Sequence, residues 1–144
     1  MLRSLRRYAM RREAGPKPPL LVLVVDDDQA VRDFVVRVLR EAGYRTLVAG
    51  SGPEAIELAS TGPIDLLLTD VNMPQMTGDE LARRLRHEEP SLKVLYLTGF
   101  SDQLFSEKTT LWQDEAYLEK PCTIAGLLQA VSLITLGHVE PEAT

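Results

Sequence analysis

The chain has 144 residues, 44% of them apolar and 26% charged, which gives room for one domain with a real core and little for a second. A single cysteine, Cys122, excludes an internal disulfide framework and any cysteine-built zinc site, so a reducing compartment, the cytoplasm, is the expected location. No apolar run approaches the roughly 20 residues that span a bilayer, and the net charge of −5 is spread unevenly.

Residues 1–19, MLRSLRRYAMRREAGPKPP, hold five arginines and one lysine against Glu13, leaving the rest of the chain near −10. This stretch reads as a basic N-terminal extension or linker, ended by Gly15, Pro16, Pro18 and Pro19. An arm that contacts phosphates and an Arg-rich organelle presequence are alternatives; the long apolar segment of a secretory signal is missing.

From Leu20 onward short apolar runs alternate with segments of helical period. LLVLVV (20–25) is a continuous apolar run, the pattern of a strand covered on both faces. QAVRDFVVRVLREAG follows, with Val31, Val35, Val38, Leu39 and Ala42 on one helical stripe and Gly43 as its stop. Further strands are predicted near Arg45 to Val48, Ile64 to Thr69, Leu92 to Leu97 and Ala116 to Leu118. Helices are predicted near Pro53 to Ser60, Gly78 to His87, Ser101 to Thr110 and Thr123 to Leu133, the last burying Ile124, Leu127, Leu128 and Val131. Five such βα units predict an α/β domain over residues 20–136, a parallel sheet with helices on both faces, followed by a polar tail at 137–144.

Function in such a sheet collects beyond the carboxyl ends of the strands. There the sequence places Asp26, Asp27 and Asp28, then Asp70 and Asn72, then Thr98 and Gly99, then Lys120 and Pro121. Singly these have plain explanations: Asp28 as a helix N-cap, Asn72 as turn chemistry before Pro74, Thr98 as a strand end and Lys120 as a solvated surface charge. Together they form an acidic cluster with one ammonium and one hydroxyl. Two carboxylates about 4 Å apart repel by roughly 4 kcal/mol at an effective dielectric near 20, so the cluster makes sense only with a cation. Mg²⁺, which takes one or two carboxylates plus phosphate oxygens and keeps several waters, is the expected cofactor.

The segments VLVVDDDQAVR, LLLTDVNMPQMTGDEL, VLYLTGF and AYLEKP resemble, in order and spacing, the signature blocks of bacterial two-component response-regulator receiver domains. The most specific part is Met73, Pro74, Met76 and Gly78 after Asp70, combined with the acidic pair and the Lys120-Pro121 step. The resemblance implies a doubly wound, flavodoxin-like sheet of order 2-1-3-4-5. It implies Asp70 as phosphoacceptor from a phosphohistidine on a sensor histidine kinase or histidine phosphotransfer protein. Asp27 is implied to ligate Mg²⁺ directly and Asp26 through water, with Asp70 and the backbone carbonyl of Asn72 also on the metal. Lys120 would pair with the phosphoryl oxygens, Thr98 would donate its hydroxyl to one of them, Gly99 would leave them space, and Tyr117 would be the aromatic switch that moves with Thr98. The Lys120-Pro121 bond is implied to be cis.

Cys122, Phe100 and the segment 100–115 depart from the family pattern. Leu104, Phe105, Leu111 and Trp112 read either as a partner-binding patch or as core. His87 reads as a helix-end histidine and His138 as part of the exposed tail. The expected role is phosphorelay signal transduction by a stand-alone regulator, a relay intermediate or a segment of a hybrid histidine kinase. No output domain follows the fifth helix, so the output is expected to be contact with a downstream protein; homodimerisation is left open and DNA binding is not expected. The protein is not expected to be an enzyme beyond its own phosphorylation and dephosphorylation. The rival class is a non-phosphorylated receiver-like interaction module. An aspartate-nucleophile phosphatase would want an aspartate where Asn72 stands.

Overall fold

The apolar runs become strands and the amphipathic segments helices, in strict alternation. In the computed structural model, which describes residues 18–99 and 114–136, the order is β1 (Leu21–Val25), α1 (Gln29–Glu41), β2 (Arg45–Ala49), α2 (Gly52–Ala59), β3 (Leu66–Asp70), α3 (Gly78–Glu88), β4 (Lys93–Thr98), β5 (Glu115–Glu119) and α4 (Ile124–Leu136). The strands form one parallel sheet in the order β2-β1-β3-β4-β5, the predicted flavodoxin-like arrangement. The predicted helix at 101–110, the apolar residues Leu104, Phe105, Leu111 and Trp112, Phe100, His138 and most of the basic N-terminal stretch lie outside the described residues.

Strand alternation sorts the core into two layers. Val22, Val24, Leu66, Leu68, Leu95 and Leu97 face Val35, Val38 and Leu39 of α1 and Leu127 and Val131 of α4. Leu23, Val25, Leu67, Val94 and Tyr96 face Ala55 of α2 and Leu81, Ala82 and Leu85 of α3. Every residue of central β3 is buried. Each buried leucine there is worth about 1.5–3 kcal/mol, so Leu66, Leu67 and Leu68 hold the strand firmly enough to carry a carboxylate at its end.

The helices begin on side-chain caps that the sequence supplies. Asp28 accepts from Ala30 N at 2.9 Å, Ser51 from Glu54 N at 3.3 Å and Thr77 from Glu80 N at 3.1 Å. Gly43 closes α1 in the left-handed region, φ 98°.

Two expected core positions are corrected. Ala42, at the C-cap of α1, is exposed because the chain turns away at Gly43 just as the stripe would continue. Ile124 is 57% exposed: it opens α4 as the chain returns from the strand ends, and burial begins a turn later at Leu127.

Candidate functional site

Sheet register brings the strand-end residues together. Val25 pairs with Thr69, so Asp26 and Asp70, the next residue of each strand, stand side by side. Asp70 pairs with Leu97, so Thr98 lies one step beyond it on β4; Thr98 pairs with Glu119, which places Lys120 at the same edge. The Lys120 backbone N–H donates to Thr98 O at 2.8 Å, and the Lys120-Pro121 peptide is cis.

The Lys120 ammonium bridges the two buried carboxylates, with Nζ 3.1 Å from Asp26 Oδ2 and 3.1 Å from Asp70 Oδ1. Asp26 Oδ1 accepts from Asp28 N at 2.9 Å, and Asp70 Oδ1 accepts from Val71 N at 2.8 Å. Both contacts of Asp70 fall on Oδ1, leaving Oδ2 without a hydrogen-bond partner among the described residues. Asp27 is exposed beside them, and one oxygen from each of Asp26, Asp27 and Asp70 lies within 4.8 Å of the others.

The electrostatics follow from this crowding. Burial first, and then the charge of Asp26, push the Asp70 carboxyl up from 3.8 to about 6, against the pull of Lys120 and the Val71 N–H. For Lys120, burial disfavours the charged form, but Asp70 and Asp26 outweigh it and the net shift is upward. Burial raises the Cys122 thiol.

Oxygen ligands on a single Mg²⁺ stand roughly 3–4 Å apart. The three carboxylates, with oxygens within 4.8 Å of one another, are grouped closely enough to serve such an ion directly or through water, and Asp27 is exposed. The all-oxygen donor set suits a hard cation. Asn72 is exposed in the loop directly after Val71.

Thr98 is fully buried, and its hydroxyl has no hydrogen-bond partner among the described residues. Strand alternation puts it on the face of Val94 and Tyr96. Tyr117 occupies that face too, half-buried, its ring 5.3 Å from that of Tyr96 with the planes at 31°. Tyr117 thus packs on the face opposite the one that α4 covers. His87 is exposed in the last turn of α3.

Three features add to the sequence reading: two were not named there, and one, Gly78, was named without its physical role. Arg32 of α1 donates Nη1 to Asp26 O at 2.7 Å, clamping the peptide between the two acidic neighbours; its place one turn after the Asp28 cap was the available signal. Gly78 packs its backbone on the Asp70 carbonyl so closely that any Cβ would overlap that oxygen, which gives the glycine of the Met-Pro-x-Met-x-Gly run a physical reason. The third is a half-buried ion pair between Arg86 and Glu115 that also holds Tyr96. Its members look like ordinary surface charges in sequence.

Residues 22–132 match the family model described as the response regulator receiver domain. The chain is 36% identical over 116 residues to the response regulator receiver protein CpdR of Brucella abortus (strain 2308), covering 81% of this chain and 97% of that one. It is 35% identical over 112 residues to the sensor kinase CckA of the same organism, which covers 76% of this chain but only 12% of the kinase. Among solved structures, the chemotaxis protein CheY4 of Vibrio cholerae superposes with a TM-score of 0.74 at 30% identity, covering 81% of this chain and 98% of that chain. The fold, the strand-end carboxylates and these likenesses agree: the chain belongs to the response regulator receiver domain family of two-component signalling.

Proposed function

We propose that this protein relays a signal by accepting a phosphoryl group on Asp70 from a phosphohistidine of a sensor histidine kinase or histidine phosphotransfer protein, and that the phosphorylated form changes its contacts with a downstream protein. The observation that carries the reading is the Lys120 ammonium at 3.1 Å from both Asp26 and Asp70, with one Asp70 oxygen left open and Asp27 exposed alongside.

Each group has work to do in such a transfer. Asp70 Oδ2 attacks phosphorus, the new P–O bond forms as the P–N bond to the donor imidazole breaks, and the electron pair of that bond leaves with the imidazole nitrogen. Lys120 and the Val71 N–H hold the other Asp70 oxygen in place, so the nucleophile is aimed before the donor arrives. Lys120 would then follow the charge onto the phosphoryl oxygens. The buried Thr98 hydroxyl has no partner among the described residues, and donating it to a phosphoryl oxygen would give it one. Asp27, Asp70 and the Asn72 carbonyl would hold Mg²⁺, with Asp26 acting through water; the ion would neutralise equatorial oxygen charge. Tyr117, on the face of Thr98, would move when Thr98 turns toward the phosphate. Residues 20–136 would form the receiver unit, with 1–19 a basic extension and 137–144 a polar tail.

Incubation of the full chain with Mg²⁺ and acetyl phosphate, followed by intact mass, tests this. One added phosphoryl group in the parent, absent in Asp70→Ala and in the presence of a chelator, is the expected result. An unchanged parent mass would favour a non-phosphorylated interaction module.

A further inference from the structure

Tyr96 is fully buried in β4, yet its hydroxyl lies 3.0 Å from Glu115 Oε2 on β5 and 3.5 Å from Asp79 Oδ1 in the first turn of α3. The Glu115 side chain is 1% exposed and is held by Arg86 Nη1 at 2.8 Å. Arg86 also donates Nε to Leu92 O at 3.0 Å and Nη2 to Asp114 O at 3.2 Å, so one guanidinium staples the end of α3 to the approaches of β4 and β5. On its other side the Tyr96 ring lies against Tyr117. Asp79 directly follows Gly78, the residue packed on the Asp70 carbonyl.

Through Tyr96 the turn beside Asp70 is linked to the ring of Tyr117. Burial, together with Glu115 and Asp79, pushes the pKa of the Tyr96 phenol far above the working range, so it stays a hydrogen-bond donor throughout. A hydroxyl carries one proton, so how it divides that proton between β5 and α3 depends on where Asp79 stands. Asp79 in turn rides on the turn that touches Asp70.

We propose that Tyr96 is the positioning residue that fixes the resting place of Tyr117: its ring is the platform, its hydroxyl is pinned by the Arg86–Glu115 clamp, and Asp79 links that pin to the Asp70 turn. The inference rests on the phosphoacceptor reading of Asp70. Removing the hydroxyl leaves the ring but unpins the platform, so the resting arrangement of Tyr117 loses support relative to the rearranged one.

The test uses the full chain labelled with 3-fluorotyrosine, the Tyr117 resonance being assigned through Tyr117→Phe, and titrated with beryllofluoride plus Mg²⁺ as a phosphoryl mimic. Tyr96→Phe is expected to lower the midpoint of the Tyr117 response about threefold or more, a coupling of ordinary size, while Asp70 still gains phosphoryl mass from acetyl phosphate. Val38→Ala, destabilising on the opposite face of the sheet, is expected to leave the midpoint in place; a shift there equal to that of Tyr96→Phe would mean that lost stability alone moves Tyr117 and would overturn the proposal. An unshifted midpoint in Tyr96→Phe, with the parent responding normally, would overturn it equally. A parent that neither gains phosphoryl mass nor responds to beryllofluoride would instead overturn the phosphoacceptor reading on which the proposal stands.

Discussion

Replacing Asp70 by asparagine should stabilise the metal-free protein, although it removes one arm of an ion pair. The Asp70 carboxyl is pushed up from 3.8 to about 6 by burial and by Asp26. Holding it ionised in the folded state at pH 8 therefore costs about 3 kcal/mol relative to the unfolded chain. Asparagine keeps the shape and an oxygen for the Val71 N–H, and Lys120 retains Asp26 at 3.1 Å. After allowance for burying the neutral amide in its place, a gain of about 1–2 kcal/mol remains, or roughly 4–8 °C in Tm for a domain of this size. The sign fixes the pH dependence. A carboxyl whose folded value is raised binds its proton more tightly when folded, so the parent pays no penalty below pH 3.8, a growing one up to about 6 and the full one above. Thermal melts of parent and Asp70→Asn in chelator should therefore diverge at pH 8 and converge near pH 3.5. Saturating Mg²⁺ should narrow the gap at pH 8, because an ion that binds only the folded parent stabilises it by mass action. A variant melting below the parent in chelator at pH 8, or an equal gain at both pH values, would refute the reasoning.

Lys120→Ala should have the opposite effect, destabilising by about 2–3 kcal/mol in urea unfolding because it leaves Asp26 and Asp70 without their shared cation; combining it with Asp70→Asn should recover part of that loss. Gly78→Ala should destabilise by about 1–3 kcal/mol and slow phosphorylation by acetyl phosphate, since the new methyl group overlaps the Asp70 carbonyl oxygen. Gln75→Gly should raise stability by about 0.5–1 kcal/mol in the same urea assay, because the exposed Gln75 sits at φ 73° in a tight turn closed by Met76 N to Pro74 O at 2.8 Å.

The strands were readable where burial on both faces leaves no alternative to continuous apolar sequence, as in Leu21–Val25 and Leu66–Asp70. The site was readable because parallel topology carries every strand's carboxyl end to one edge, so Asp26, Asp70, Thr98 and Lys120 needed only correct strand ends to meet. The helix stripes failed at their ends: helical periodicity continues through Ala42 and Ile124, whereas the apolar sheet beneath them does not. How the acidic neighbours divide their burial was also hidden, for Asp26 is 1% exposed and Asp27 lies open, a one-residue distinction set by the strand end and the Arg32 clamp. The Arg86–Glu115 pair was not legible, because a helix residue and a strand residue 29 positions apart meet only once the chain is folded.

In the proposed transfer, a carboxylate oxygen of Asp70 forms the new P–O bond. Borohydride reduction after treatment with acetyl phosphate and Mg²⁺, followed by peptide mass mapping, tests it most directly, since hydride converts an acyl phosphate into the corresponding alcohol. Homoserine at position 70, absent when either Mg²⁺ or the donor is omitted, is the predicted result; reduction at Asp26 or Asp27 instead, or at no aspartate, would contradict it.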